Sequence, residues 1–211
     1  MADVVRKGRH RIVSDDEILG AAFHAFAREG YDSMSVRQLN TVLGLSHETV
    51  RQRFGSKNDL FRAAVVHGNA HFMDLLAEER ALLPDAASDL EELRYSLRSL
   101  LTTSIRFPDL SNLVTREAVS SSQRMEYIFE VCFRPSLSFY LNILERLVAT
   151  DVIYPVSIRD AYFLIDAGGS PFAQVGLSRC FDDLVGAFDE ATQIDRFLDF
   201  VFRGLVKPPL G

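Results

Sequence analysis

Cysteine is scarce in this sequence, and long apolar runs are absent. The two cysteines, Cys132 and Cys180, have neither CxxC spacing nor a neighbouring pair of histidines, so we expect two free, buried thiols and no metal site. No segment approaches the roughly 18 uninterrupted apolar residues of a membrane span, and no signal-peptide stretch follows the charged N-terminus. We therefore expect a cytoplasmic protein that has no membrane partner.

Motifs of catalysis are also missing. The sequence contains no GxSxG, no HExxH and no glycine loop of the kind that cradles phosphate. His67 and His71 stand four residues apart, as two metal ligands on one helix face would, but two ligands do not complete a site. An enzyme, for example an all-helical hydrolase, is thus a disfavoured alternative, and we expect no catalytic residue and no cofactor.

Charge is distributed unevenly along the 211 residues. The chain is 47% hydrophobic and 25% charged, which is typical of a folded globular protein, and its net charge is -6. Residues 1–66 hold ten Lys and Arg against eight Asp and Glu, whereas residues 67–211 hold thirteen against twenty-one. The total argues against a nucleic-acid partner, but the location of charge matters more than its sum, and the basic end is N-terminal.

Nearly the whole chain has the periodicity of helices, with apolar residues recurring at three and four. Five serines precede an acid or amide by three residues, the pattern of a helix-starting capping box: Ser14 with Glu17, Ser35 with Gln38, Ser56 with Asp59, Ser88 with Glu91 and Ser157 with Asp160. The predicted fold class is all-α. Helices are predicted at 15–29, from Ser35 to near Gly44, and at 47–54, 56–83, 89–106, 109–121, 123–149, 157–175 and 189–206.

The segment 35–54 has the form of a helix-turn-helix. Its two short helices are joined by only Gly44-Leu45-Ser46, and a tight turn containing glycine is the signature of this motif. We expect Ser46 to cap the second helix. The apolar residues are expected to pack on the first helix of the chain or between the two short helices: Val36, Leu39, Val42, Leu43, Leu45, Val50 and Phe54.

The side chains left over in this segment suit contact with DNA. His47, Thr49, Arg51 and Arg53 point away from the expected packing surface. The N-terminal half of a recognition helix meets base edges and phosphates in the major groove, and Arg suits bidentate contact with guanine or phosphate. The sequence therefore predicts a double-stranded DNA partner.

The block from Ile18 to Phe61, ILGAAFHAFAREGYDSMSVRQLNTVLGLSHETVRQRFGSKNDLF, resembles the DNA-binding domain of the TetR family of transcriptional regulators. The resemblance implies an N-terminal three-helix domain and about six longer helices behind it. It also implies a homodimeric repressor that leaves a near-palindromic operator when a small molecule binds the C-terminal domain. The positions that match the family's DNA surface are Ser35, Arg37, Ser46, His47, Thr49, Arg51, Arg53 and Lys57.

Four positions depart from the family pattern, and one of them is Arg51, where the family usually has Tyr. The chain has His47-Glu48 where the family usually has Lys followed by Gly or Ala, and Glu48 repels phosphate, so it points away or tunes specificity. Asn40 stands where the family usually has Ala. Family-average base contacts are therefore not assumed for this chain.

The predicted organisation has three parts. Residues 1–12 form a basic N-terminal arm, residues 13–58 the helix-turn-helix domain, and residues 59–211 a ligand-binding and dimerisation domain. The arm, with Arg6-Lys7-Gly8-Arg9-His10-Arg11, is either a solvated tail or a segment that enters the DNA minor groove.

Residues 67–211 hold twelve of the sixteen phenylalanines, which we expect to fill a core and in part to line an apolar cavity. Glu117 is either a polar anchor for a largely apolar effector or a surface carboxylate paired with an Arg. The candidate ligand-binding residues are Phe72, Leu100, Leu113, Glu117, Phe133, Tyr140 and Phe163.

The last predicted helix carries one apolar stripe that requires a partner face. The stripe consists of Ile194, Phe197, Leu198, Val201 and Leu205. The family resemblance implies that this helix and the helix at 157–175 form a four-helix interface in a homodimer. We therefore expect the stripe to contact a second copy of the chain.

Three functions remain open from the sequence: a ligand-released repressor, an activator, and a DNA-binding protein without a small-molecule effector. For the first of these, we expect an effector beside Phe72 to move the helix after Ser56, and with it Arg51 and Arg53.

Overall fold

The chain folds into helices joined by short turns. The computed structural model describes residues 13–119, 122–173, 175–187 and 189–208, with the backbone alone for 166–173 and 175. The helices are α1 Asp15–Glu29, α2 Val36–Val42, α3 Thr49–Phe54, α4 Lys57–Ala81, α5 Asp89–Arg106, α6 Asp109–Glu117, α7 Gln123–Ile128, α8 Arg134–Ala149, α9 Ile158–Ala173, α10 Val175–Arg179, α11 Asp182–Val185 and α12 Glu190–Leu205. The predicted all-α class is confirmed.

Capping serines start several of these helices where the sequence predicts. Ser14 and Ser56 each form a complete capping box, in which the serine oxygen accepts the amide three residues on and that residue's carboxylate accepts the serine amide. Ser88 accepts the amide of Glu91, but the Glu91 carboxylate accepts the amide of Ala87 instead. The serine positions therefore predict helix starts well because the interaction is local.

The predicted helix ends are less accurate. The helix expected at 109–121 ends at Glu117. The helix expected at 123–149 is interrupted by a π-helical segment, Phe129–Phe133, in which the carbonyl of Val131 accepts a hydrogen bond from Asn69 Nδ2 at 3.4 Å. The short helices α10 and α11 are not predicted at all. In the π-helical segment the bond comes from another helix, and the apolar period along the sequence cannot reveal such a contact.

Two hydrophobic cores hold the helices together. The first contains buried side chains of α1, α2, α3, α4 and α6, and the second contains buried side chains of α5, α8 and α12. Leu100 packs against both cores. The division at residues 58 and 59 remains a prediction, and buried residues of the first core lie on both sides of it.

The apolar stripe of α12 faces the interior of its own chain. Ile194, Leu198 and Val201 are at most 5% exposed in the single chain, and they pack in the second core with α5 and α8. An ion pair also joins α5 to α12, since Arg98 Nε on α5 lies 3.0 Å from the carboxylate of Asp195 on α12. The expectation that these three residues contact a second copy is wrong. A helical period shows that a face is buried but not what buries it.

The contact between α1 and α4 leaves no room for a side chain at position 68. A Cβ atom added to Gly68 would lie 2.6 Å from the ring of Phe23, which is itself 1% exposed. The ring of Phe23 also stacks on Phe107, with centroids 5.7 Å apart. Gly68 therefore allows the backbone of α4 to approach α1 closely.

We predict that Gly68→Ala destabilises the protein, because the new methyl group overpacks the contact with Phe23. The expected loss is about 1–3 kcal/mol, reduced by up to about 1 kcal/mol through the better helix propensity of Ala. The measurement is urea unfolding followed by circular dichroism.

Gly204→Ala is the matched control for this measurement. Gly204 is an exposed residue of α12, and a Cβ there would meet nothing within 4 Å. Since only the propensity gain remains, we expect this variant to be as stable as the parent or more stable by up to about 1 kcal/mol. Equal effects at positions 68 and 204 would contradict the close-contact interpretation.

Candidate DNA-binding surface

The helix-turn-helix is formed by α2, the turn at 43–48 and α3. Ser35 starts α2 by accepting the amide of Gln38 at 3.3 Å. Gly44 has φ +67°, in the left-handed region that favours glycine, and this allows the sharp turn out of α2. Leu39 and Val50 are buried in the first core and hold α2 and α3 against the rest of the domain.

Two details of this motif differ from the sequence predictions. The second helix begins at Thr49, and Ser46 does not cap it, because the Ser46 hydroxyl lies 2.7 Å from the hydroxyl of Thr49. Val42 is 75% exposed instead of packed on α1. Successive residues of a helix are rotated by 100° around its axis. Because Leu43 is turned towards the first core, Val42 lies outside the surface by which this short helix contacts that core.

The eight residues predicted to contact DNA remain accessible in the single chain. Thr49 and Lys57 are half-buried, and the rest are exposed: Ser35, Arg37, Ser46, His47, Arg51 and Arg53. Their contact with DNA stays a prediction. The basic arm at 1–12 lies outside the described residues.

Arg53 and Lys57 already have partners within the chain. Arg53 Nη1 donates to the carbonyl of Val13 at 2.7 Å and lies 3.2 Å from Asp15, so it ties α3 to the start of α1. Lys57 Nζ donates to the carbonyl of Asp32 at 3.2 Å. Arg51, by contrast, has no hydrogen-bond or ion-pair partner among the described residues. Of the two arginines on α3, Arg51 is thus the one whose guanidinium is free for a ligand.

A polar connection that the sequence did not reveal joins α6 to α1. Arg116, near the end of α6, donates from Nε to the carbonyl of Ala27 at 2.9 Å and from Nη2 to the carbonyl of Arg28 at 2.7 Å. These carbonyls belong to the last turn of α1, where the helix supplies no N–H donors for them and a cation is favourable. At the other end of α6, Asp109 lies 2.8 Å from His24 Nδ1. No local pattern links residues so far apart in sequence.

A second connection runs from Glu117 to the helix-turn-helix. The Glu117 carboxylate is buried and accepts a hydrogen bond from Arg124 Nε at 2.8 Å. The guanidinium of Arg124 lies over the ring of Tyr31, 4.3 Å from its centroid, and Lys57 Nζ lies 4.8 Å from the same centroid. We call Arg116 and Arg124, with their contacts on α1 and Tyr31, the arginine clamp. Glu117 is thus paired with an Arg, as one interpretation predicted, but it is not on the surface.

Most of the candidate ligand-binding residues are divided between the two cores. Phe72 and Leu113 are buried in the first core and Phe133 packs against it, whereas Tyr140 packs against the second. Burial, with a contribution from the charge of Glu92, raises the pKa of Tyr140 to about 12, so its phenol is neutral at physiological pH. Leu100 lies between the two cores.

Phe163 is 61% exposed, so the expectation that it faces an interior cavity is wrong for the single chain. It lies on α9, a mostly apolar helix, and in such a helix an apolar residue type alone does not show which face is buried in the single chain.

Two other expectations concern metals and cysteines. No group of three or more potential metal ligands occurs among the described residues. His71 packs edge-on against Phe107, and His67 Nδ1 lies 3.7 Å from Asp16. Both thiols are free, but only Cys132 is shielded, and burial raises its pKa to about 12, whereas Cys180 is exposed. None of the described helices has the length and apolar character needed to cross a membrane.

Comparison with known proteins agrees with this geometry. Residues 18–64, which hold most of α1 and all of α2 and α3, match the family model of bacterial regulatory proteins of the tetR family. This region of the chain is therefore similar to the tetR family, and the match is confined to the helix-turn-helix region and the start of α4. The matched family is one of bacterial regulatory proteins, which agrees with the resemblance seen in the sequence.

One curated relative is the HTH-type transcriptional repressor AcnR of Corynebacterium jeikeium strain K411. It is 36% identical over 67 residues, which is 32% of this chain and 35% of the length of that repressor. The chain therefore matches about a third of the relative, and the similarity is confined to that part.

Solved structures share the fold over nearly the whole chain. A regulatory protein of the tetR family from Rhodococcus RHA1 has a TM-score of 0.56 at 17% identity and covers 92% of this chain and 98% of its own. AibR, solved in complex with isovaleryl coenzyme A and operator DNA, has a TM-score of 0.61 at 16% identity and covers 88% and 96%. At these identities, the likeness shows the fold alone.

Proposed function

We propose that this protein is a sequence-specific DNA-binding repressor of the TetR family that acts as a homodimer and is released from its operator by a small, largely apolar molecule. The observation that carries DNA binding is the helix-turn-helix, whose turn and second helix leave His47 and Arg51 exposed and without a competing partner among the described residues. A guanidinium in this position suits a bidentate contact with guanine or phosphate in the major groove.

We predict that Arg51→Ala weakens binding to the operator without lowering the melting temperature, since the Arg51 side chain has no hydrogen bond or ion pair to lose among the described residues. The operator is first selected from random double-stranded DNA with the parent protein. Loss of one bidentate base contact corresponds to roughly 5- to 150-fold in affinity. Loss of a phosphate contact instead reduces the slope of log affinity against log salt by about 1. Fluorescence anisotropy at several salt concentrations measures both quantities.

Two further variants serve as comparisons for Arg51→Ala. Arg53→Ala should lower affinity and melting temperature together, because it also removes the bond to the Val13 carbonyl. Arg196→Ala, an exposed arginine of α12, should change neither quantity. If Arg196→Ala and Arg51→Ala bind the operator equally, Arg51 does not contact DNA.

The homodimer proposal rests on apolar side chains that the single chain leaves exposed on its last helices. Phe200 is 77% exposed on the side of α12 opposite its buried stripe, and Phe163 and Leu164 are exposed on α9, which packs beside α12. Exposed aromatic and aliphatic side chains on adjacent elements are typical of an interface. A two-fold dimer places two recognition helices on successive major grooves, about 34 Å apart, and so accounts for a near-palindromic operator.

We predict that the protein sediments as a dimer at micromolar concentration and that Phe200→Ser shifts it towards monomer. Because Phe200 is exposed in the single chain, its loss should leave the helical content unchanged. Leu82→Ser is the control, since Leu82 is equally exposed but lies at the end of α4. A parent protein that sediments as a monomer, or equal dissociation by both variants, would contradict this assignment of the interface.

The effector proposal places the small molecule where the two cores meet on α5. Leu100 packs against both cores, and its neighbours Ser99 and Thr103 are buried. Their hydroxyl oxygens have no hydrogen-bond partner among the described residues. Buried polar groups are normally satisfied, so a ligand or an ordered water belongs here. Glu117 lies near the first core, and its pairing with Arg124 offers a route from this region to Tyr31 and Lys57 through the arginine clamp.

We predict that a compound that raises the melting temperature of the protein also releases operator DNA, and that this release depends on the clamp. Such a compound is found by thermal-shift screening of small apolar molecules. In Arg116→Ala/Arg124→Ala, it should still raise the melting temperature but should release less DNA, because α6 and α7 no longer hold α1 and Tyr31. Arg98→Ala, which removes an ion pair to α12 instead, should behave as the parent does. Full release from the double variant would exclude the clamp as the route.

A further inference from the structure

Asn40 is a buried polar side chain at the centre of the helix-turn-helix. It lies on α2, is fully buried, and is one of four buried polar or charged residues in the described part of the chain. Burying an amide is unfavourable unless its donors and acceptor find partners. Its contacts therefore show which parts of the motif it holds.

The Asn40 side chain makes three hydrogen bonds, one within α2 and two that join α2 to the turn and to the start of α3. Nδ2 donates to the carbonyl of Val36 and to the carbonyl of His47, both at 3.0 Å, and Oδ1 accepts the backbone amide of Val50 at 3.2 Å. The opposite orientation of the amide would place N–H against N–H at Val50 and oxygen against two carbonyl oxygens. The partners thus fix the orientation of the group.

The helix that Asn40 contacts lacks a cap of its own. Glu48, at the N-cap position of α3, has φ -103° and ψ -5° and makes no side-chain bond to the first turn, and the Ser46 hydroxyl is directed at Thr49. A capping side chain ordinarily accepts the amide of the second or third residue of the helix. Val50 is the second residue of α3, and its amide is bonded by Asn40 from the neighbouring helix.

The same residue also fixes the turn between the two helices. The backbone carbonyl of Asn40 accepts the amide of Leu45 at 2.8 Å, in addition to the side-chain bond to the His47 carbonyl. One residue of α2 therefore bonds the chain at positions 45, 47 and 50. His47 is one of these points and Glu48 lies between two of them; both residues are outside the helix and exposed.

We propose that Asn40 is a positioning residue for DNA recognition: it caps α3 from α2 and so sets where this helix begins and how His47, Glu48 and Arg51 are presented to base pairs. This inference rests on the proposed DNA-binding function. Asn40 itself is buried and touches no DNA. Ala, the residue that the family usually has at this position, would leave the Val50 amide and the His47 carbonyl without these bonds.

The first test measures the cap directly, without DNA. Hydrogen exchange of the Val50 amide should be faster in Asn40→Ala than in the parent, relative to the amides of α4. Thr41→Ala is the matched control, because Thr41 is the next residue of α2 and its hydroxyl bonds only the Arg37 carbonyl within that helix. Unchanged exchange at Val50 in Asn40→Ala would overturn the capping assignment.

The second test measures base preference. The parent, Asn40→Ala, Asn40→Asp and Thr41→Ala are each used to select sites from random DNA, and single-base mismatches are then compared. A mismatch typically costs about tenfold in affinity. For both Asn40 variants, we expect this penalty to fall to within roughly threefold at the base pairs facing residues 47–51. The salt slope should stay at the parent's value in Asn40→Ala and Thr41→Ala, because neither substitution changes a charge.

Asn40→Asp separates the hydrogen bonds from the volume of the side chain. It keeps the size of Asn40 and the acceptor for Val50 but places an oxygen against the His47 carbonyl. Parent-like mismatch penalties in both Asn40 variants, or a change in Asn40→Ala alone, would overturn the positioning role. If the parent selects no DNA sequence, the proposed function fails and the positioning role fails with it, whereas hydrogen exchange at Val50 still reports on the cap.

Discussion

The ring of Phe23 occupies the space that a side chain at position 68 would fill, and this contact between α1 and α4 supports the rest of the molecule. The helix-turn-helix packs on α1 and on the start of α4 through Leu39, Val50 and Leu60 in one core. The remainder of α4 continues into the region that packs with α5. Any change in how α4 lies on α1 therefore alters the position of the recognition surface relative to the C-terminal helices.

The polar contacts around this core have a different role from its apolar packing. Apolar burial supplies most of the stability but is not directional. Hydrogen bonds to fixed carbonyls and amides are directional, so they set the position of one helix relative to another. Arg116 bonds the last turn of α1 from α6, and Asn40 bonds the first turn of α3 from α2. Both side chains satisfy helix ends that lie on a different helix from their own. The helix-turn-helix is thus oriented by contacts at helix ends as well as by its core.

Much of the fold could be predicted from local interactions. The capping serines Ser14 and Ser56 reach only three residues along the chain, so their pattern is visible in the sequence and predicts helix starts correctly. The start of α3 was predicted wrongly for the converse reason. Ser46 has the right residue type for a cap, but the amide of Val50 is bonded by Asn40, ten residues away on another helix. The apolar stripe of α12 likewise indicated a buried face, but this face is buried against α5 of the same chain.

The helical class, the helix-turn-helix with its family register, and the residue types available to contact DNA could be predicted from the sequence, because these depend on period, caps and spacing along the chain. The packing of the helices decides that Arg53 is tied to Val13 while Arg51 is free, and that Glu117 is buried with Arg124 beside Tyr31. It also decides that Phe200, and not the apolar stripe of α12, is exposed. These facts depend on which helix ends meet in space, and contacts between residues distant in sequence leave no periodic pattern in it.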